Sequence, residues 1–125
     1  MADPVIQDRD QDWATVCASA ELADEKMLTA RIGEWQVLVV RSGAGLSAFN
    51  DCCPHQSARL SGGRLRRGAL MCPLHGARFD ITSGRCVGAG YAPLLRMPIR
   101  ERDGYIEVAP PQRSPAPDEI PKDSQ

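Results

Sequence analysis

The chain has 125 residues, a net charge of −1 and 42% hydrophobic residues, which fits one domain that buries its own core. Eleven glycines and ten prolines predict that this domain is rich in loops. No apolar run approaches the roughly eighteen residues of a membrane span, and residues 1–12 lack the basic start and apolar stretch of a secretory signal. We therefore expect a cytoplasmic protein without a membrane segment, in which clustered cysteines bind metal rather than form disulfides.

The first half of the chain has the pattern of short strands separated by turns. Residues 19–26 could form a single helical turn with Ser19 as its cap. Gly33-Glu34 separates two strand-like segments and predicts a hairpin. The second of these contains the continuous apolar run 37–40, which predicts a strand buried on both faces. The predicted strands are 12–17, 27–32, 35–41 and 46–50.

The second half changes in character and then ends in a proline-rich segment. Residues 51–93 contain many glycines and arginines and only short apolar pieces, so we predict a loop-dominated subdomain whose stability depends on metal. Two strand-like segments, 94–102 and 105–108, flank Asp103-Gly104 and predict another hairpin. Five prolines after residue 108 predict disorder. The predicted units are a flexible lead 1–11, a domain 12–108 with a metal-binding subdomain at about 51–93, and a disordered tail 109–125.

The only two histidines of the chain each lie close to a cysteine and a proline. Cys53-Pro54-His55 is followed, after residues 56–71, by Cys72-Pro73-Leu74-His75. Thiolate and imidazole are the usual ligands of zinc and of iron–sulfur clusters, and the prolines stiffen both loops. The sequence therefore predicts a metal site with Cys53, His55, Cys72 and His75 as ligands.

Two types of metal suit this set of ligands. Structural zinc modules usually place a cysteine pair before a histidine pair, whereas each loop here supplies one cysteine and one histidine. The arrangement favours a two-iron cluster in which one iron takes both thiolates and the other takes both imidazoles. A zinc-stabilised binding module remains the alternative.

The two loops resemble those of the Rieske iron–sulfur proteins, and the resemblance of the chain covers about residues 12–108. The resemblance implies an all-β fold, a three-sheet antiparallel β-sandwich with a small inserted subdomain that carries one [2Fe–2S] cluster. Beyond the two ligand motifs, the matching residues are Phe79-Asp80, Ser83-Gly84 and Gly90-Tyr91-Ala92-Pro93.

The same resemblance implies a role for each residue of the loops. Cys53 and Cys72 would bind the inner iron, while His55 and His75 would bind the outer iron and face solvent. Residues 90–93 would form a third loop that covers the cluster.

This chain departs from the respiratory members of the family in four positions. Those members carry a disulfide between the ligand loops, and a serine and a tyrosine that donate hydrogen bonds to sulfur. Without such donors the reduced form is less stabilised, so we expect a potential in the lower part of the Rieske span of about −150 to +300 mV. In this chain, Ala58 and Leu74 correspond to the two cysteines of the disulfide, and Ala77 and Phe79 correspond to the serine and the tyrosine.

The combination is similar to the Rieske ferredoxins of bacterial multicomponent ring-hydroxylating dioxygenases. That similarity implies an electron carrier rather than an enzyme, which takes electrons from an NAD(P)H-dependent flavoprotein reductase and passes them to a terminal oxygenase. We expect such a carrier to be a monomer. The alternative within the family is a small Rieske subunit of a nitrite reductase-like enzyme.

Charge is distributed unevenly along the chain. Residues 51–100 contain eight arginines and two aspartates, an excess of six positive charges, whereas residues 1–50 sum to −4 and residues 101–125 to −3. The arginines are either solvated loop residues or groups that steer an acidic partner surface. No aromatic residues interleave them, so we do not expect nucleic-acid binding. The residues concerned are Arg59, Arg64, Arg66, Arg67, Arg78 and Arg85.

The remaining cysteines and the tryptophans are better explained by packing than by chemistry. Cys52 does not fit the C-x-H spacing, so we interpret it as a packed small residue, with substitute ligation as the alternative. Cys17 and Cys86 lie in strand-like segments and are predicted core thiols. Trp13 and Trp35 are predicted core or sheet-edge residues rather than electron relays.

Overall fold

The computed structural model describes residues 13–43, 45–54, 58–73, 76–88 and 90–121. Within these ranges the chain forms eleven short strands and three 3₁₀ turns, and no helix there has the length and apolar character to cross a membrane. The strands are β1 (Ala14–Ala18), β2 (Lys26–Ile32), β3 (Trp35–Ser42), β4 (Gly45–Asn50), β5 (Arg64–Arg66), β6 (Ala69–Met71), β7 (Arg78–Asp80), β8 (Cys86–Val87), β9 (Arg96–Met97), β10 (Ile99–Arg102) and β11 (Tyr105–Val108). The 3₁₀ turns are Ser19–Glu21, Leu60–Gly62 and Pro117–Glu119.

The strands form three antiparallel sheets. Sheet A has the order β1-β11-β10, sheet B the order β2-β3-β4-β9, and sheet C the order β5-β6-β7-β8. Every strand pair in them is antiparallel. The predicted all-β fold with three antiparallel sheets is confirmed. Sheet C lies between the end of β4 and the start of β9 in the sequence, so it is an insertion into sheet B.

Strand β3 separates two hydrophobic cores. Leu38 and Val40 belong to one core, and Val37 and Val39 belong to the other. All four side chains are completely buried, because alternate residues of a strand point to opposite faces of the sheet. The prediction that this strand is buried on both faces is therefore confirmed. The core that contains Leu38 and Val40 also contains the two cysteines of the predicted metal site.

The predicted helical turn after β1 is shorter than expected. Only Ser19–Glu21 forms a 3₁₀ turn, and its cap is Ala18 rather than Ser19. The Glu21 carboxylate accepts a hydrogen bond from the Ala18 backbone N–H at 2.8 Å, which satisfies the first amide from inside the turn. Strand β2 then begins at Lys26.

The segment 94–102, predicted as one strand, is divided into two. Arg96–Met97 pairs in sheet B and Ile99–Arg102 pairs in sheet A. Pro98 lies between them and has no N–H to donate to either sheet. Its carbonyl accepts a hydrogen bond from the Ala109 N–H at 3.0 Å. The proline thus marks the point where the chain passes from one sheet to the other.

The structure also differs from the prediction of disorder after residue 108. Residues 109–121 pack along the domain, and Ala109 and Pro121 are buried. The physical reason is that carbonyls of this segment accept hydrogen bonds from Trp35 and Asn50 of sheet B. Composition alone could not reveal these partners. Residues 122–125 and the predicted lead 1–11 lie outside the described residues.

Candidate metal centre

The first ligand loop leaves the end of β4 and returns to the core within a few residues. Cys53 is completely buried. Its backbone N–H donates a hydrogen bond to the carbonyl of Ala58 at 2.8 Å, which closes the loop across the intervening residues. His55, a predicted ligand, lies outside the described residues.

The second loop is closed by the same type of bond. Cys72 follows β6 directly and is 2% exposed, and its N–H donates to the carbonyl of Ala77 at 2.7 Å. Gly76 donates to the carbonyl of Cys72 at 3.1 Å and has a φ of 70°, a conformation that glycine adopts without steric cost. Both loops therefore hold their cysteine through a bond to the carbonyl five residues later. His75 and Leu74 lie outside the described residues.

The fold brings the two cysteines into one apolar core, which we call the cysteine core. This core lies between sheet B and sheet C, and the described residues that form it come from both sheets and both loops. Two buried thiols held in one core by matching backbone bonds suit the thiolate half of a mixed-ligand two-iron cluster. The buried members of the core are Leu38, Val40, Phe49, Cys53, Leu60, Leu70, Cys72, Phe79, Ile81 and Leu94.

A close backbone approach connects the two loops. A Cβ atom added at Gly63 would lie 1.8 Å from the carbonyl oxygen of Met71, the residue before Cys72. Only glycine fits such a contact, because the obstructing atom belongs to the backbone and cannot rotate away. Gly62 is less constrained, since a Cβ there would lie 3.7 Å from Cγ of Pro73. The end of the first loop therefore packs directly on the start of the second.

Asp51 is a site residue that the sequence analysis missed. Its side chain is completely buried and accepts two hydrogen bonds from Ser61, from the backbone N–H at 2.9 Å and from the hydroxyl at 2.7 Å. The backbone N–H of Asp51 donates to the carbonyl of Gln36 on β3 at 2.9 Å. The carboxylate thus joins the two ends of the first loop, and the backbone N–H fixes the start of the loop to the sheet. No local pattern identifies it, because Ser61 lies ten residues away in the sequence.

The arginines divide into one structural residue and a basic surface. Arg59 is half-buried, with Nη1 3.7 Å from Oδ2 of Asp51 and 3.5 Å from Oε1 of Gln36. The structure therefore gives Arg59 a role in holding the first ligand loop, whereas the sequence predicted a solvated residue or one that steers a partner. The other five predicted residues are exposed: Arg64, Arg66, Arg67, Arg78 and Arg85.

Four of these arginines share the outer side of sheet C, which we call the basic face (Arg64, Arg66, Arg67 and Arg78). Arg64 and Arg78 both pair with Met71 in the sheet register. The opposite side of the sheet carries Leu70 and Phe79, which belong to the cysteine core. An open cavity of about 640 Å³ lies over the basic face. Its lining includes Arg66, Arg67, Arg78, Asp80, Met71 and Val87.

The other cysteines agree with the packing interpretation. Cys52 is buried, and its thiol donates to the carbonyl of Asp118 at 3.5 Å. Cys17 packs against the second core, and burial is the main cause that raises the pKa of its thiol. Cys86 packs against the cysteine core from β8.

The positions that distinguish this chain from respiratory Rieske proteins are occupied by side chains without hydroxyls. Phe79 is completely buried in the cysteine core, and Ala58 and Ala77 are half-buried against it. Ala58 and Ala77 contribute only their carbonyls, as acceptors for the cysteine N–H groups. None of the three can donate a side-chain hydrogen bond to sulfur.

Comparison with known proteins agrees with this geometry. Residues 12–97 match the family described as Rieske [2Fe-2S] domain. The chain is 35% identical over 98 residues to the anthranilate 1,2-dioxygenase ferredoxin subunit of Burkholderia cepacia, a match that covers 78% of this chain and 91% of that protein. It is 29% identical over 106 residues to the ferredoxin component of the alkene monooxygenase system of Xanthobacter autotrophicus, over 84% and 87% of the two chains.

A solved structure shows the same likeness in three dimensions. A chain from a complex of reduced oxygenase and oxidized ferredoxin in carbazole 1,9a-dioxygenase superposes with a TM-score of 0.73 at 30% identity. The superposition covers 79% of this chain and 94% of that one. With its family match extending over both ligand loops, the chain belongs to the Rieske [2Fe-2S] domain family.

Proposed function

We propose that the chain is a one-electron carrier with a low-potential Rieske [2Fe–2S] cluster. Cys53 and Cys72 would hold the buried iron, and His55 and His75 would hold the outer iron. The observation that carries this proposal is the pair of buried cysteines, joined in one core by equivalent loops, in a chain of the Rieske family. The relatives named as ferredoxins are covered over nearly their whole length, which supports a carrier rather than a catalytic subunit.

The cluster would supply a reversible one-electron couple, and the chain would set its potential and its access. Neutral imidazole in place of two anionic thiolates makes an added electron less costly, so the potential lies above that of an all-cysteine cluster. Phe79 and Ala77 counteract this rise, because they offer no hydroxyl donor to sulfur. The apolar core around Cys53 and Cys72 keeps water from the sulfur side of the site.

We infer two partners for the carrier. Electrons would pass to a terminal ring-hydroxylating oxygenase, a partner supported by the solved complex of an oxygenase with its ferredoxin. They would come from an NAD(P)H-dependent flavoprotein reductase, the donor that the resemblance to the dioxygenase ferredoxins implies. A cytoplasmic location and a monomeric state belong to the same proposal. The substrate of the system would be chosen by the oxygenase.

The basic face gives this proposal a docking surface. The basic face lies on sheet C, whose other side carries Leu70 and Phe79 of the same core as both cysteines. Apolar side chains between the arginines, such as Met71 and Val87, add a surface that can lose water on contact. An acidic partner surface suits this arrangement, and attraction of opposite charges would speed its approach.

Metal analysis and electron paramagnetic resonance of the purified chain test the proposal. We expect two irons per chain, no zinc, and a Rieske-type signal after reduction. Stoichiometric zinc would overturn the carrier and establish the binding module instead. Turnover of an oxygenase with a reductase and catalytic amounts of this chain would establish a free carrier, whereas constant co-purification with a large reductase would favour the bound subunit.

A further inference from the structure

We propose that residues 109–121, here called the C-terminal strap, position the first ligand loop. This segment lies beyond the family match, which ends at residue 97. It runs over sheet B and contacts the residues that immediately precede Cys53. The inference rests on the proposed metal site, because it assigns the strap a role in holding that site.

The strap is fixed first at the β2–β3 hairpin. Trp35 is 3% exposed, and its indole N–H donates to the carbonyl of Arg113 at 3.0 Å. The Arg113 guanidinium lies 5.2 Å from the centre of the same indole ring, within cation–π range. Ser114 donates through its hydroxyl to Glu34 at 3.0 Å. One part of the strap is thereby attached to a rigid element of the fold.

Its second attachment is to the start of the ligand loop. The side-chain amide of Asn50 donates to the carbonyl of Glu119 at 2.9 Å, and the thiol of Cys52 donates to the carbonyl of Asp118 at 3.5 Å. Asn50 and Cys52 are both buried. They stand on either side of Asp51, the carboxylate that holds the far end of the loop through Ser61. Three consecutive residues before Cys53 are therefore each anchored by their side chains, two of them to the strap.

An ion pair within the strap connects the two attachments. Arg113 donates two hydrogen bonds to the carboxylate of Glu119, at 2.7 and 2.9 Å. Glu119 also accepts from the Ala116 N–H at 2.8 Å, which caps the 3₁₀ turn Pro117–Glu119. This turn presents the carbonyls of Asp118 and Glu119 to Cys52 and Asn50. The Trp35 end and the ligand-loop end of the strap are thus held at a fixed separation.

These contacts make Asp118 and Glu119 positioning residues that act through their backbone. Without the strap, the amide of Asn50 loses its acceptor and the thiol of Cys52 loses the carbonyl of Asp118. The segment before Cys53 is then held by the carboxylate of Asp51 and by the backbone bonds of Asn50 and Asp51 to the neighbouring segments. The cysteine would then occupy a wider range of positions relative to Cys72. Faster loss of the metal and a changed spectrum should follow, without loss of the β-fold, because sheets A, B and C do not include the strap.

The test compares a chain that ends at Pro111 with the full chain and with a control chain that ends at Pro121. The control removes only residues 122–125 and keeps the residues of the strap and their partners described above. Each protein is incubated with a strong iron chelator while the visible absorbance of the cluster is followed. We expect the chain ending at Pro111 to bleach at least about fivefold faster, the factor that the loss of one net hydrogen bond gives. The control should bleach at the rate of the full chain.

A full-length variant keeps the test decisive where the shortened chain does not fold. Arg113→Ala should accelerate bleaching and alter the resonance line shape, and Arg113→Lys should restore both in part, since it retains one charged donor. Equal bleaching rates and identical spectra in Arg113→Ala and the full chain would overturn the proposed role of the strap.

Failure of the metal assignment would look different. If the purified full chain holds zinc instead of iron, the proposed carrier fails. The role of the strap is then measured in the same series by zinc release to a colorimetric chelator, with the same expected order of rates and the same overturning result.

Discussion

Asp51 and Ser61 close the first ligand loop from the inside. The buried carboxylate accepts hydrogen bonds from both the backbone N–H and the hydroxyl of Ser61, at 2.9 and 2.7 Å. Asp51 precedes Cys53 by two residues, whereas Ser61 lies in the 3₁₀ turn that ends the loop. The two residues therefore fix the loop at both ends, and Arg59 supplies a positive charge 3.7 Å from the same carboxylate.

Removing this carboxylate should destabilise the protein strongly. Asp51→Ala leaves two donors of Ser61 without their acceptor and removes the negative charge beside Arg59, so we expect a loss of about 3 kcal/mol in the free energy of unfolding. Denaturant unfolding monitored by circular dichroism measures it. Asp24→Ala is the control, since Asp24 is exposed and should change stability by less than about 0.5 kcal/mol. Equal effects of the two substitutions would contradict the assigned role of Asp51.

Gly63 offers a second test, with a neighbouring control. Gly63→Ala would drive a Cβ into the Met71 carbonyl, 1.8 Å away, so the two ligand loops must separate. We expect a destabilisation of about 3 kcal/mol, the upper part of the range for overpacking, together with poor incorporation of iron. Gly62→Ala meets only Pro73 at 3.7 Å and should retain normal iron content. Normal iron content in Gly63→Ala would show that the backbone approach is not required.

Local patterns predicted the elements well and their long-range partners poorly. The continuous apolar run in β3 and the Gly33-Glu34 turn are local, so the hairpin and the burial of its second strand could be predicted from the sequence. The chain's only histidines beside cysteines made the metal motif equally visible. The hydrogen-bond partners of Asp51, Trp35 and Asn50, in contrast, lie in distant segments of the chain.

Composition could not reveal the contacts of the C-terminal strap for the same reason. Its prolines and charges are typical of disorder, but its stability depends on two buried donors of sheet B that it satisfies. At Pro98 the sequence revealed part of the structure. A proline inside a predicted strand signals an interruption, although it does not reveal that the two halves join different sheets.

The lack of a hydroxyl at positions 77 and 79 leads to a prediction about the midpoint potential. Phe79→Tyr and Ala77→Ser would each place a hydroxyl on a residue that packs in or against the cysteine core. Donors to sulfur stabilise the reduced cluster, so both substitutions should raise the midpoint potential within the family span of about −150 to +300 mV. Protein-film voltammetry measures the shift. Phe49→Tyr, at another buried phenylalanine of the same core, controls for the cost of burying a phenol.

The Arg113–Glu119 pair makes docking of the strap sensitive to acid. Hydrogen bonds from Arg113 are the main cause that holds the pKa of Glu119 below its ordinary value of 4.5. A carboxyl with a lowered folded-state pKa contributes stability above the ordinary pKa and loses it as pH falls through the folded value. Fluorescence of Trp35 should therefore change as falling pH protonates Glu119 and releases the strap, and the effect should be small because the ion pair is partly exposed. Glu119→Gln should show a weaker dependence on pH, and an identical dependence would contradict the role of the pair.

The basic face leads to a prediction about the rate of electron transfer. Arg66 and Arg67 lie at the β5–β6 turn and line the open cavity over sheet C. If an acidic partner approaches this face, the double substitution Arg66→Glu and Arg67→Glu should slow reduction by the flavoprotein reductase by at least about tenfold at low salt.

The salt dependence and a matched control decide whether this effect is local. Arg31→Glu with Arg102→Glu changes the net charge by the same amount at exposed positions of β2 and β10, away from sheet C. This control lowers the net charge by the same amount as the test variant but leaves the basic face intact. It should therefore slow reduction only slightly. Raising the ionic strength shortens the range of the attraction, so the difference between the two double variants should disappear in stopped-flow measurements at high salt. Equal rates for both variants at low salt would show that overall charge alone governs the encounter, and that the basic face is an ordinary solvated surface.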